Sequence, residues 1–267
     1  MKKFSRAAFV LLVYLFLYIP IIVLMVYSFT NATTIGAIRG FSLHNYVTLF
    51  TTPELRHMII GTVLLAIGVA FVATVLGTLG AIGAFHSSKK TGVFLNSLNK
   101  VPVINADVVT GFSICILLVV VFGIDKDTFI PLVIGQTVLC APFVYLSVMP
   151  KLKQLDPSIY EAALDLGATP VRALRTVVLP QISSGIVSGF ALAITLSLDD
   201  YFIATYTKPV TFDTISTYVV NATKGAQTHI KTALWALSTV IFLIVVVVVI
   251  LANLRSGRSS RKERADV

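Results

Sequence analysis

The sequence predicts an all-α integral membrane protein with six transmembrane helices. Three observations carry that expectation. Of 267 residues, 56% are hydrophobic and only 12% charged, about half the charge of an ordinary soluble domain. Mean hydropathy is +0.90. Six apolar stretches, at about 7–29, 58–85, 99–122, 129–149, 181–207 and 233–254, are each near or above the ~20 residues that cross a bilayer as helix.

The first stretch follows Lys2, Lys3 and Arg6 and runs from Ala7 to Phe29. It is too long for a signal-peptide core and no small-x-small site follows, so an uncleaved span is expected. It is bulky all round, which suits a peripheral helix. The second carries Gly61, Gly68, Gly77, Gly80 and Gly83, with Ala81 and Ala84 four residues after Gly77 and Gly80. Small residues at that spacing let helix backbones approach closely. The third carries Pro102, which frees backbone carbonyls early in the span. Cys115 and Cys140 both lie in apolar runs and read as small core residues, with no disulfide expected.

Fifteen of the 21 basic residues flank one set of span ends. The other six, Arg39, Arg56, Lys126, Lys208, Lys224 and Lys231, flank the opposite set. The positive-inside rule then puts both termini and the 150–180 loop in the cytoplasm. The same distribution explains the net charge of +9 without nucleic acid. Loops 30–57 and 208–232 fall outside and read as solvated connectors or partner contacts. The tail 255–267 is basic and polar, a solvated flank or a contact for anionic headgroups. Asn31-Ala-Thr33 and Asn221-Ala-Thr223 match the glycosylation sequon, which is too short to carry weight. No phosphate-binding Gly-x-x-x-x-Gly-Lys-Ser/Thr occurs, so ATP hydrolysis by this chain is not expected. No spacing resembles a metal site, and no cofactor is implied.

One stretch is not apolar enough for lipid: Leu155 to Pro180. Asp156 and Pro157 have the chemistry of an N-cap and first helical position. Ile159, Ala162, Ala163 and Leu166 recur on one helical face, and Gly167 stands where a left-handed stop belongs. Thr169-Pro170 restarts the pattern, with Val171, Leu174 and Val178 as its stripe and Pro180 as its end. A stripe flanked by spans has two fates: docking on a partner protein, or lying on the membrane surface.

Three carboxylates lie within the spans: Asp107, Asp199 and Asp200. An Asp at mid-membrane costs roughly 2.5–3.5 kcal/mol on the insertion scale, so such residues usually face a cavity, a partner or a substrate path. Adjacent helix positions point about 100° apart, so at most one of Asp199 and Asp200 faces a narrow pore squarely. The alternative is that one of them caps a broken helix, against which stands the apolar run Tyr201 to Tyr206. A cation passing through would supply the missing charge, and faces such as Tyr201, Phe202 or Tyr206 favour ammonium groups.

Glu161-Ala162-Ala163, then Gly167-Ala168, then Leu179-Pro180 resembles the EAA loop of ABC-importer permeases. Over nearly the whole chain the likeness is to the second permease subunit of spermidine/putrescine importers, including Tyr18-Ile-Pro-Ile-Ile22, Phe41-Ser-Leu-His-Asn-Tyr46 and Leu196-Ser-Leu-Asp-Asp200. The resemblance implies a type I ABC-importer permease fold. It implies one transmembrane permease domain over 1–267, with five core spans in 58–254, in a bacterial inner membrane. It also implies a subunit that is not itself an enzyme, working with a second homologous permease, two copies of an ABC ATPase and an extracytoplasmic polyamine-binding protein. Glu161, Ala162, Ala163, Gly167, Ala168 and Pro180 would couple to the ATPase. Asp107, Asp199, Asp200, Tyr201 and Tyr206 would line the path. Two alternatives remain at this level: an ABC permease for another solute such as thiamine or iron, and a cation-coupled secondary transporter using the acids as proton sites.

Overall fold

The computed structural model describes residues 2–30, 40–224 and 232–243. Among them the fold is helical, with one isolated bridge between Thr30 and Phe41. The helices are α1 Lys2–Ser28, α2 His44–Thr51, α3 Pro53–His86, α4 Lys89–Ile104, α5 Asp107–Cys115, α6 Ile130–Lys153, α7 Pro157–Asp165, α8 Pro170–Ala173, α9 Leu179–Asp199, α10 Phe202–Thr207, α11 Ile215–Lys224 and α12 Thr232–Leu243. π-helical turns extend α5 over Ile116–Val121 and join α8 to α9 over Leu174–Val178.

Among the described residues, four helices are long and apolar enough to cross a membrane: Phe9–Ser28, Pro53–His86, Ile130–Lys153 and Pro170–Asp199. The pair Lys89–Ile104 and Asp107–Val121, bent by 100°, makes a fifth if counted as one span. The sixth expected span is described only over α12, and the basic tail and first sequon lie outside the described residues.

The chain divides into two compact units, 1–56 with 219–267, and 57–218. In the first, Asn45 of α2 is buried and donates to the carbonyls of Ser28 and Thr30 at 3.0 and 3.1 Å. The Ser28 hydroxyl shares a 2.9 Å hydrogen bond with Tyr46, and Tyr27 meets Trp235 edge-on. The exposed flank of α1 is apolar from Phe9 onward, as a lipid-facing helix requires.

The second unit is built on α6 and α9, which run antiparallel. Gly185 lies so near α6 that an added Cβ would stand 2.9 Å from the Ser147 carbonyl. Further along, Cys140 points its thiol at the Ala193 carbonyl, and Gln136 pairs with Ser197. The glycine-rich face of α3 packs on the same helix: a Cβ at Gly77 would meet the Ala141 carbonyl at 2.7 Å. The close approach expected of that span is present at Gly77, whereas Gly68 and Gly83 face open space. Val69, Ala73, Val144, Val148, Leu152 and Ile182 fill the core between these helices.

Two boundaries away from the fifth span's outer end differ from expectation. The third span does not begin at Asn99. α4 starts at Lys89 and runs antiparallel along α6, with Asn96 accepting from Tyr145 at 2.7 Å and Asn99 donating to the Pro142 carbonyl. Lys100, expected on an inner flank, therefore lies 11 residues into α4, about 16 Å along it. Pro180 does not end a helix either, because Pro170–Asp199 is continuous. Proline lacks a donor and clashes with the carbonyl four residues back. The π turn just before it, closed by the Leu179 N–H on the Leu174 carbonyl, widens the helix there and lets it pass through.

Candidate functional site

Two helix breaks meet at one cleft of about 320 Å³ in the second unit. The first lies between α4 and α5. Asn105 and Ala106 are extended, with ψ of 146° and 133°, and Asn105 reaches across the break to the Thr110 hydroxyl at 2.8 Å. Asp107 opens α5, where its charge suits the helix dipole, and its side chain is exposed to the cleft.

The second break lies between α9 and α10, where Asp200 leaves the helix with ψ 117°. Its Oδ1 accepts from the Ile203 N–H at 3.0 Å and its Oδ2 from the Ala204 N–H at 2.9 Å. Asp200 thus caps α10, satisfying donors that a helix start leaves free. The apolar run after it, which argued for continuous helix, forms the separate short α10. Gln136 of α6 donates to Asp200 Oδ2 at 3.1 Å and accepts from the Ser197 hydroxyl at 2.7 Å. The Ser216 hydroxyl donates to the Asp200 carbonyl at 2.5 Å. Asp200 is only 7% exposed and Gln136 fully buried, while Asp199, one position earlier, is exposed on the cleft wall.

The cleft brings Asp107, Asp199, Asp200, Tyr201 and Phe202 together, with Phe143 and Leu196 among its apolar walls. Tyr201 stacks edge-on with Phe202 at 5.2 Å between ring centres. Tyr206 is not among the walls; its ring packs against Phe112 of α5. Sequence reasoning passed over Gln136, Ser197 and Ser216. The available signal was Gln136 itself, an amide in the middle of an apolar span.

The coupling-loop candidates cluster separately. Asp156 Oδ1 accepts from the Ser158 N–H at 3.0 Å, and this hydrogen bond holds its carboxyl below the usual carboxylate range. At the far end of α7, Gly167 has φ +83°. The Ala168 N–H bonds the Ala163 carbonyl, and the Gly167 N–H that of Leu164, a Schellman stop. Thr169 then caps α8 by accepting from the Arg172 N–H.

The chain's own packing covers a face of α7 next to the stripe. Tyr160, Ala163 and Leu164 are half-buried, whereas Ile159, Glu161, Ala162 and Leu166 are exposed, Leu166 at 88%. In the next helix Val171 is exposed and Val178 buried. Behind α7 lies a mostly apolar groove of about 360 Å³ that includes Phe85, His86, Tyr160, Val177 and Gln181. The His86 ring meets Tyr160 edge-on at 5.6 Å. Pro180 is exposed in the helix wall just before Gln181.

Residues 76–261 match the family described as the binding-protein-dependent transport system inner membrane component. The chain belongs to this family. It is a multi-pass inner-membrane permease of an ABC importer. Among its relatives, the spermidine/putrescine transport system permease protein PotC of Haemophilus influenzae is 31% identical over 91% of this chain and 93% of its own. The putrescine transport system permease protein PotI of Escherichia coli is 29% identical over 98% and 94%. The permease also shares its fold with a chain in the crystal structure of a bacterial alginate ABC transporter bound to an alginate pentasaccharide-loaded periplasmic protein. That match has a TM-score of 0.71 at 19% identity and covers 92% of each chain. The type I permease fold expected from the sequence is therefore present.

Proposed function

We propose that this permease carries a polyamine of the spermidine or putrescine class, and that the cleft between the helix breaks is part of the path. The observation that carries the reading is the pair of exposed carboxylates, Asp107 and Asp199, on different helices of one cleft whose walls hold no Lys or Arg. Uncompensated acids inside a membrane protein call for a cation. A polyamine brings ammonium ends for the carboxylates and methylenes for Tyr201, Phe202 and Phe143. The relatives named for spermidine and putrescine transport support the same cargo. Asp200, its carboxylate occupied by α10 and Gln136, shapes the site and leaves contact with cargo to Asp199.

The loop containing Glu161, Ala162, Ala163, Gly167 and Ala168 is the contact for a separate ATPase, with Pro180 at the π turn behind it. Its exposed Glu161, Ala162 and Leu166 form the surface offered. Both termini and this loop face the cytoplasm. The working assembly is one permease domain from this chain, a second related permease, two ATPase copies and an extracytoplasmic polyamine-binding protein.

The test is the assembled complex in proteoliposomes with spermidine or putrescine on its binding protein. Asp107→Asn and Asp199→Asn should each lower cargo-stimulated ATPase activity and uptake. Unchanged stimulation in both would remove the acidic path, and stimulation by an uncharged cargo alone would remove the polyamine.

A further inference from the structure

Gln136 is the one amide through which α6 reaches the second helix break. Its two ends are both used: Nε2 on the Asp200 carboxylate at 3.1 Å, Oε1 on the Ser197 hydroxyl at 2.7 Å. Ser197 is on the last turn of α9, and Asp200 is the residue on which α10 begins. The amide therefore ties the end of one helix, the start of the next and the wall of α6 into one buried network. Between Ser197 and Tyr201 the chain has little freedom left, and Asp199 is held within that interval.

We infer that Gln136 is a positioning residue for the cleft: by fixing Asp200 at the α9–α10 break, it sets the direction in which the Asp199 carboxylate faces the cleft. Gln136 does not wall the cleft and touches no cargo; it acts through Asp200. This deepens the reading of the cleft as the path and rests on it. The chemistry also explains why an amide stands there. The Asp200 oxygens already take two backbone N–H groups, so the remaining partner must donate to Asp200 and accept from Ser197. A glutamine does both, and a leucine neither. A buried polar group left without its partner is penalised, and the break then relaxes towards another geometry.

The experiment reads the direction of position 199 without reference to cargo. In the full complex with Cys115→Ala, leaving Cys140 buried, Asp199→Cys is labelled by a positively charged methanethiosulfonate. Ser184→Cys, exposed at the other end of α9, serves as control. Gln136→Leu should slow labelling at 199 by about fivefold or more, with the control unchanged. Ser197→Ala, which leaves the hydrogen bond from Gln136 to Asp200 in place, should slow labelling at 199 by less than about twofold. With Asp199 native, Gln136→Leu should raise the cargo concentration for half-maximal ATPase stimulation about tenfold, while the maximal rate holds.

Unchanged labelling at 199 in Gln136→Leu overturns the inference. So does equal slowing by Ser197→Ala, or slowing of the control to the same degree. Should Gln136→Leu not assemble, the near-isosteric Gln136→Glu alone, which opposes two carboxyl groups, carries the same expectation. A wild-type complex indifferent to polyamines would remove the cargo reading and leave the labelling result standing.

Discussion

Ile203 of α10 lies directly over Gly111 of α5: a Cβ added at Gly111 would stand 2.9 Å from the Ile203 Cα. From the other side, a Cβ at Gly135 of α6 would meet the Ile203 side chain at 2.7 Å. α10 is thus wedged between two helices that both lack a side chain where it passes. The two obstacles differ, since one is backbone and the other a methyl group. Gly111→Ala and Gly135→Ala should each destabilise by about 1–3 kcal/mol through overpacking. Adding Ile203→Ala should relieve the Gly135 variant and leave the Gly111 variant impaired. Thermal unfolding of the purified protein in detergent, single and double variants side by side, checks this. Equal relief of both would show that the backbone contact is not limiting.

The adjacent carboxylates Asp199 and Asp200 should separate cleanly on stability. Asp200→Ala strands two backbone donors and the Gln136 amide in a buried site, each such group costing about 1–3 kcal/mol. Asp199→Ala alters an exposed residue and should stay within about 0.5 kcal/mol of the parent. Melting temperature and the yield of assembled complex measure the contrast. Identical melting for the two variants would argue that Asp200 caps nothing of consequence.

Gly167 adopts φ +83° with open space where a Cβ would go. A non-glycine residue there meets backbone strain of about 1–2 kcal/mol and no collision within the chain. Gly167→Asp should therefore be expressed and folded, yet fail in uptake, because the loop's stop is displaced where an ATPase is proposed to sit. Full transport in proteoliposomes would count against the docking role.

The Asp156 cap gives α7 a pH dependence with a defined sign. Its hydrogen bond from the Ser158 N–H lowers the folded-state pKa, so the stabilisation is complete above the unfolded value, about 3.9. It fades as pH falls below that through the folded value. Amide hydrogen exchange of α7 should show better protection in the parent than in Asp156→Ala at pH 5, and the gap should narrow as pH approaches 3. A gap constant across that range would mean the carboxylate is not the cap.

The most local chemistry was the most legible. Asp156, Gly167 and Thr169 act through neighbours two to five residues away, so the ends of α7 and the start of α8 could be read directly. The face α7 turns to its own chain could not, because Tyr160 lies outside the stripe and only its distant partner His86 marks it. Hydropathy carried the fifth span past Asp200, since Tyr201 to Tyr206 is as apolar as what precedes it. The break falls at Asp200, whose carboxylate takes the Ile203 and Ala204 N–H groups and meets Gln136, 64 residues earlier in the chain. Pro180 misled in the opposite direction. A strong local stop was absorbed by a π turn that sequence periodicity does not reveal.

The unbroken helix Pro170–Asp199 lies against α6 from Gly185 to Ser197 and extends about 22 Å beyond that contact towards Pro170. Such a rod is a lever with one end clamped. A sideways push near Pro170 would not swing Asp199 by itself; it would carry α6 along, so a nudge beside α7 would move the acidic end as part of a two-helix block.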